Sequence, residues 1–163
     1  MKHLKKIALF LTALITISAS CKKTTDPGSN DFYFRCKIDG QTYIPNSCAN
    51  CITCAILGDT TFLLGGNAGF DAIAIGIIYK PAITQKTYNL NSNIANGGTY
   101  KNSTITNDRF DTDSLHFGQL QIITLDKTNK IIEGTFHFNA YNSYRNDSVS
   151  ITDGKFRWKY TTN

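Results

Sequence analysis

The chain has 163 residues, a formal net charge of +5 and 41% hydrophobic residues. Glu133 is its sole glutamate, while Thr, Asn, Ile, Phe and Tyr are abundant, which disfavours helices and favours strands. Three of the basic residues, Lys2, Lys5 and Lys6, precede residue 21. Without them Lys and Arg fall from 17 to 14 against 12 acidic residues, a net charge of +2 that leaves no basic cluster of the kind nucleic acid requires.

The first twenty residues read as a targeting segment. A basic start is followed by the apolar run Ile7–Ile17, shorter than the roughly 20 residues a helix needs to cross a bilayer. Ser18-Ala-Ser then precedes Cys21 and resembles a bacterial lipoprotein signal, in which cleavage before the cysteine is coupled to its lipidation. Ser18 stands where that signal usually carries an aliphatic residue. The expected division is a signal peptide over 1–20, lipidated Cys21 with a polar linker over 21–30, and one domain over 31–163. The expected location is the bacterial outer membrane, with the domain lipid-anchored on its periplasmic face or at the cell surface.

From residue 31 onward strand patterns follow one another. Asp31–Ile38 alternates, with Phe32, Phe34, Cys36 and Ile38 inward. Asp39-Gly40 is a strong hairpin signal and Gln41–Ile44 returns from it. Residues 45–54 are irregular. Ala55–Leu57 and Thr60–Leu64 form a second hairpin about Gly58-Asp59, and Gly65–Gly69 reads as a flexible turn. In Ala72–Tyr79 one face carries Ile73, Ile75, Ile77 and Tyr79. The other is mostly small, so the strand is expected to be central, with room for a second layer. Lys86–Leu90 is a short strand, and 91–107 is a loop with a brief strand near Thr99-Tyr100.

Gln119–Asp126, a hairpin loop at Lys127–Asn129 and Lys130–Ala140 open a closing meander. Ile132, Gly134, Phe136, Phe138 and Ala140 share one face of the last. Apolar parity in Val149–Tyr160 shifts at Asp153-Gly154, which fits either a tight turn or a bulge within one strand. The fold expected is all-β, an antiparallel β-sandwich, with a small β-barrel as the alternative.

The lipoprotein signal, Phe34-x-Cys-Lys-Ile-Asp-Gly-Gln41, Lys86-Thr-Tyr-Asn-Leu90, the stretch 131–140 and Val149–Phe156 together resemble a family of uncharacterised envelope lipoproteins of Bacteroidetes-type bacteria, described as a domain of unknown function. The resemblance spans most of the chain after the signal. It implies an envelope lipoprotein with a sandwich-like domain, and its strand-and-turn motifs supply no catalytic residues. The cysteine cluster is not part of that pattern.

Cys36, Cys48, Cys51 and Cys54 are the disulfide candidates, with Cys48-x-x-Cys51-x-x-Cys54 the most conspicuous motif. Outside the inner membrane an even set of cysteines reads first as disulfides. One bridge from Cys36 into the cluster is easily drawn, leaving a local pair. The same four could instead hold zinc or copper, or exchange electrons. Asp108, Asp111 and Asp113 could gather around Ca²⁺, although a solvated acidic loop explains them more simply. Glu133 and His137 share a strand face, where a surface contact is the simpler reading than an acid–base pair. Tyr43, Tyr100, Tyr141 and Tyr144 could stack on sugar rings, as loop tyrosines of binding modules do. No motif calls for a cofactor, and none supports a hydrolase. The expectation is a non-catalytic envelope binding or accessory module with a carbohydrate or protein partner. A metal-binding or thiol-redox protein is the alternative.

Overall fold

The computed structural model describes residues 32–45, 51–92, 95–104 and 106–162. The expected signal peptide, Cys21, the linker and Cys48 lie outside the described residues. Residues 31–163 form one compact unit. Its strands are β1 (Tyr33–Ile38), β2 (Gln41–Tyr43), β3 (Ile52–Leu57), β4 (Thr61–Ala68), β5 (Asp71–Ile78) and β6 (Thr87–Leu90). They continue with β7 (Gly97–Asn102), β8 (Arg109–Asp111), β9 (Gly118–Asp126), β10 (Ile131–Asn142), β11 (Asp147–Lys159) and β12 (Thr161–Thr162). The all-β expectation holds.

Tight turns set the order. Asp39 and Gly40 both take positive φ (47° and 82°), as do Gly58 and Asp59 (53° and 58°), which is the backbone twist a two-residue hairpin demands. Between them the strands join into one curled sheet in the order β12-β3-β4-β5-β7-β8-β10-β11-β1-β2, with β9 sharing with β8 the edge of β10 opposite β11, and β6 beyond β9. The sheet folds over itself as a half-barrel. β3, β4, β5 and β7 make one wall, and β1, β2, β6, β9, β10 and β11 make the other. Short β8 connects them, through Thr99↔Asp111 and Asp111↔Tyr141. On the opposite side β12, one residue beyond β11, pairs in parallel with β3 through Thr161↔Ala55. The walls therefore face each other as in a sandwich while remaining one hydrogen-bonded sheet.

Inward side chains fill the space between. Phe62 on β4 stacks on Phe156 of β11 (centroids 6.0 Å), and Phe34 meets Phe136 at 5.3 Å. The inward set of β10 (Ile132, Phe136, Phe138, Ala140) is at most 2% exposed, as its alternation requires. The parity shift at Asp153-Gly154 is a bulge: β11 runs unbroken, with Phe136 opposite Gly154 and Phe138 opposite Ile151. Gly65–Gly69 differs from expectation, since β4 continues to Ala68. Gly66 is required there for space, because a Cβ would lie 2.7 Å from Pro45 Cγ and 3.0 Å from the Phe34 ring. Residues 97–102, read mainly as loop, form β7, which pairs with β5 over Asp71↔Asn102 to Gly76↔Gly97.

The half-barrel has two ends. The entry end, where the chain comes into β1, holds Phe32, the Gly58-Asp59 turn, Lys127–Lys130 and Lys159–Thr162. The Tyr160 amide donates to the Lys130 carbonyl (2.9 Å), and Lys130 Nζ donates to Thr162 Oγ1 (3.1 Å). The far end holds Asp39, Asp71, Asp108–Asp113 and the Asn142–Asp147 turn. There the Tyr43 hydroxyl lies 3.0 Å from the Asp71 carbonyl, linking the walls.

Candidate functional site

The cysteines are not assembled as expected. Cys36 on β1 and Cys54 on β3 are buried free thiols, so the bridge drawn from Cys36 into the cluster is not formed. Each sits in the apolar core, on strands far apart in the sheet order, and behaves as a small core residue. Burial pushes both thiols up to about 12, which keeps them neutral and unreactive at neutral pH. Cys51 is also buried and is engaged in an interaction, and its carbonyl accepts from the Asn67 amide (2.8 Å). Among the described residues no three His, Cys, Asp or Glu side chains are placed to hold a metal ion.

The four tyrosines part company. Tyr43 is 6% exposed and its hydroxyl lies 2.6 Å from the Gly66 carbonyl. Tyr100 is 8% exposed and donates to Asp71 Oδ1 (2.7 Å), which also accepts from Asn102 Nδ2 (2.9 Å). Tyr43 latches the two walls together, Tyr100 ties β7 to β5 within one wall, and both are too buried to offer a face to a ligand. Tyr141 and Tyr144 instead border a depression of about 350 Å³ at the far end, shared with Asn107, Arg109, Asp111, Thr112, Asp113, Asn142 and Ser143.

Local hydrogen bonding builds that depression. Asn142 is 3% exposed, and its Oδ1 accepts from the Tyr144 and Arg145 amides (3.0 and 3.1 Å). This closes an Asx-type turn that lifts Tyr144 to 79% exposure. Asn142 Nδ2 donates to the Asn107 carbonyl, fastening the turn to the neighbouring loop. The Tyr141 hydroxyl donates to Asn146 Oδ1 (2.7 Å), and one face of its ring is taken by His116, stacked at 4.6 Å and 7°. Asp113 Oδ1 accepts from the Leu115 and His116 amides (2.8 and 2.7 Å), and His116 Nδ1 lies 3.1 Å away. The His116 amide bond, first among these contacts, holds the Asp113 carboxyl below its ordinary range, so it is ionised. Arg109 Nε donates to both Asp111 oxygens (3.0 and 2.8 Å), and Thr99 Oγ1 donates to Asp111 Oδ1 (2.6 Å).

The three aspartates therefore do not converge as a calcium site. Asp108 is buried, Asp111 is held by Arg109 and Thr99, and Asp113 caps its own turn. Glu133 and His137 are not an acid–base pair either. Glu133 accepts from Arg157 Nη1 (2.7 Å) and Tyr33 Oη (3.1 Å), while His137 stands opposite Gln119.

A larger hollow of about 460 Å³ lies on the outer face of β4, β5 and β7. Cross-strand register places Gly65 beside Ala74 and Leu63 beside Gly76, so its floor is small and its lining carries no charged residue. This is the face whose small residues suggested a second layer, and among the described residues no strand covers it.

The loop-end depression is the more discriminating of the two. It offers an exposed ring, amide groups, a guanidinium and two carboxylates within one concavity, which suits a neutral ligand rich in hydroxyls. His116 and Asn142, which build it, carried a partial sequence signal in Asp113-x-x-His116 and in Asn142 before the polar turn, both Asx-turn patterns.

Comparison with curated proteins and with solved structures gives no match for this chain. The family model described as a domain of unknown function (DUF6252) matches residues 30–158, nearly the whole of the compact unit, and the chain belongs to that family.

Proposed function

We propose that the chain is a non-catalytic binding module of the bacterial envelope, lipid-anchored to the outer membrane through Cys21, which presents its far-end depression to a carbohydrate. The observation that carries this reading is the juxtaposition of exposed Tyr144 with Arg109, Asp111 and Asn142 around one concavity. Sugars expose flat C–H faces that stack on an aromatic ring and hydroxyls that both donate and accept, and this set answers both. Asp39, Asp71, Asp108, Asp111, Asp113 and Asp147 outnumber Lys101, Arg109 and Arg145 at this end, which favours a neutral ligand over an anionic one. The test is a glycan array followed by calorimetry. Wild-type chain is expected to bind a neutral oligosaccharide, and Tyr144→Ala to weaken it about tenfold. Equal binding by Tyr144→Ala, or no glycan bound by the wild type, overturns the assignment.

With Cys36 and Cys54 free, we propose Cys48 as the disulfide partner of Cys51. Native alkylation followed by intact-mass analysis checks it. The expected pattern is no label on the folded chain, two labels after denaturation and two more only after reduction. Labelling of Cys36 or Cys54 at neutral pH without denaturant would revive the thiol-chemistry alternative.

A further inference from the structure

The two ends of the half-barrel differ in charge as well as in position. Lys80, Lys127, Lys130 and Lys159 are all exposed at the entry end, against Asp59 and Asp126. Asp126 is committed to its own turn, accepting from the Thr128 and Asn129 amides (both 2.9 Å). The far end has the opposite balance, as described above. Beside the lysines, Phe32 is 46% exposed and packs on Trp158 with ring centroids 5.7 Å apart. Trp158 is only partly buried, at the end of β11 next to Lys159. Lysines around exposed Phe32 and partly buried Trp158 make a composition that settles at a lipid–water interface, where ammonium groups meet headgroup phosphates and rings enter the headgroup layer.

The position of this face in the chain points to the same surface. Phe32 stands eleven residues after Cys21, a reach of at most roughly 40 Å when fully extended. A lipid on Cys21 would therefore hold the entry end near the bilayer whatever path the linker takes. Acidic residues at the far end would be repelled from the same surface.

We propose that the entry end, with Lys127, Lys130, Lys159, Phe32 and Trp158, docks on an anionic phospholipid bilayer, so that the depression bordered by Tyr144 points away from the membrane. This rests on the reading of Cys21 as the lipid anchor, and the experiment separates the two. Trp158 is the single tryptophan of the chain and reports directly on the contact. The lipidated chain, extracted from bacterial membranes, is incorporated into vesicles of brominated phosphatidylcholine with or without phosphatidylglycerol. Trp158 emission is expected to be quenched in the anionic vesicles, with quenching relieved by high salt and absent from vesicles without phosphatidylglycerol.

The unlipidated Cys21→Ser chain is then titrated with the anionic vesicles. It should bind weakly, and Lys127→Glu/Lys130→Glu/Lys159→Glu in that background should bind about tenfold more weakly or worse. An anchored wild-type chain whose Trp158 is unquenched in anionic vesicles overturns the docking face and leaves the anchor standing. A Cys21→Ser chain that stays in the membrane fraction through salt and alkaline washes overturns the anchor. Salt-sensitive quenching would then uphold the docking face by itself.

Discussion

Phe156→Ala is expected to remove about 3–5 kcal/mol of folding stability. Phe156 has no exposed surface, stacks on Phe62 at 6.0 Å and approaches Phe136 at 6.4 Å. Its ring also occupies the space above Gly134, where a Cβ would lie 2.9 Å from it and 2.1 Å from the Gln121 carbonyl oxygen. That glycine shows how little slack surrounds the ring. The cavity left by alanine would have walls on two sides of a curled sheet, and neither wall can collapse without breaking strand pairing. Urea unfolding should show a lower midpoint with an unchanged slope. Phe70→Ala is the control, since Phe70 is 65% exposed and its loss should change stability by less than about 0.5 kcal/mol. Equal effects from the two substitutions would mean that the walls do not pack face to face.

Raising the pH should unfold the domain abruptly. Burial raises Cys36 and Cys54 from 9.0 to about 12 and Tyr100 from 10.0 to about 12, and it raises Tyr43 as well. In each case the folded chain keeps a proton that the unfolded chain would release. The stabilisation is complete below the unfolded values and is lost as pH rises from about 9 through 12. The unfolding midpoint should be level across about pH 6 to 8 and fall steeply above 9. Cys36→Ala/Cys54→Ala, even if less stable throughout, should show a shallower fall between pH 9 and 10, because only the tyrosines then contribute. A midpoint that holds steady to pH 11 would contradict the burial of these groups.

Strands were legible wherever side-chain parity recorded burial. The run from Ile132 to Ala140 names its inward face outright, and Asp39-Gly40 and Gly58-Asp59 name their turns, because only certain residues tolerate the positive φ found there. The curl of the sheet was not legible. It depends on β8 linking β7 to β10 and on Thr161 reaching β3, pairings between segments with no apolar pattern of their own. Gly65-Gly66 looked like a turn because glycine disfavours strands, yet Gly66 is demanded by Pro45, about twenty residues earlier in the chain.

The site divides in the same way. Of the four tyrosines expected in loops only Tyr144 lies in a turn, since Tyr43, Tyr100 and Tyr141 stand on β2, β7 and β10; nothing local separates Tyr141 and Tyr144 from Tyr43 and Tyr100. What separates them is Asp71, which anchors the latter two across 28 and 29 residues. Cys36 was correctly placed inward. Whether an inward cysteine is half of a bridge or a core thiol depends on which sulfur comes within reach, and parity carries no information on that. Arg109 carries no local sequence signal, because its role comes from pairing with Asp111 on a strand of three residues.

The most direct test of the account is an amide chemical-shift titration of the folded chain with the neutral oligosaccharide selected on the array. Shifts are expected to be confined to Arg109–Asp113 and Tyr141–Arg145, with Lys127–Lys130 at the opposite end unmoved. Shifts centred on β4, β5 and β7 instead, around Gly65 and Gly76, would contradict it and move the binding site to the apolar outer face.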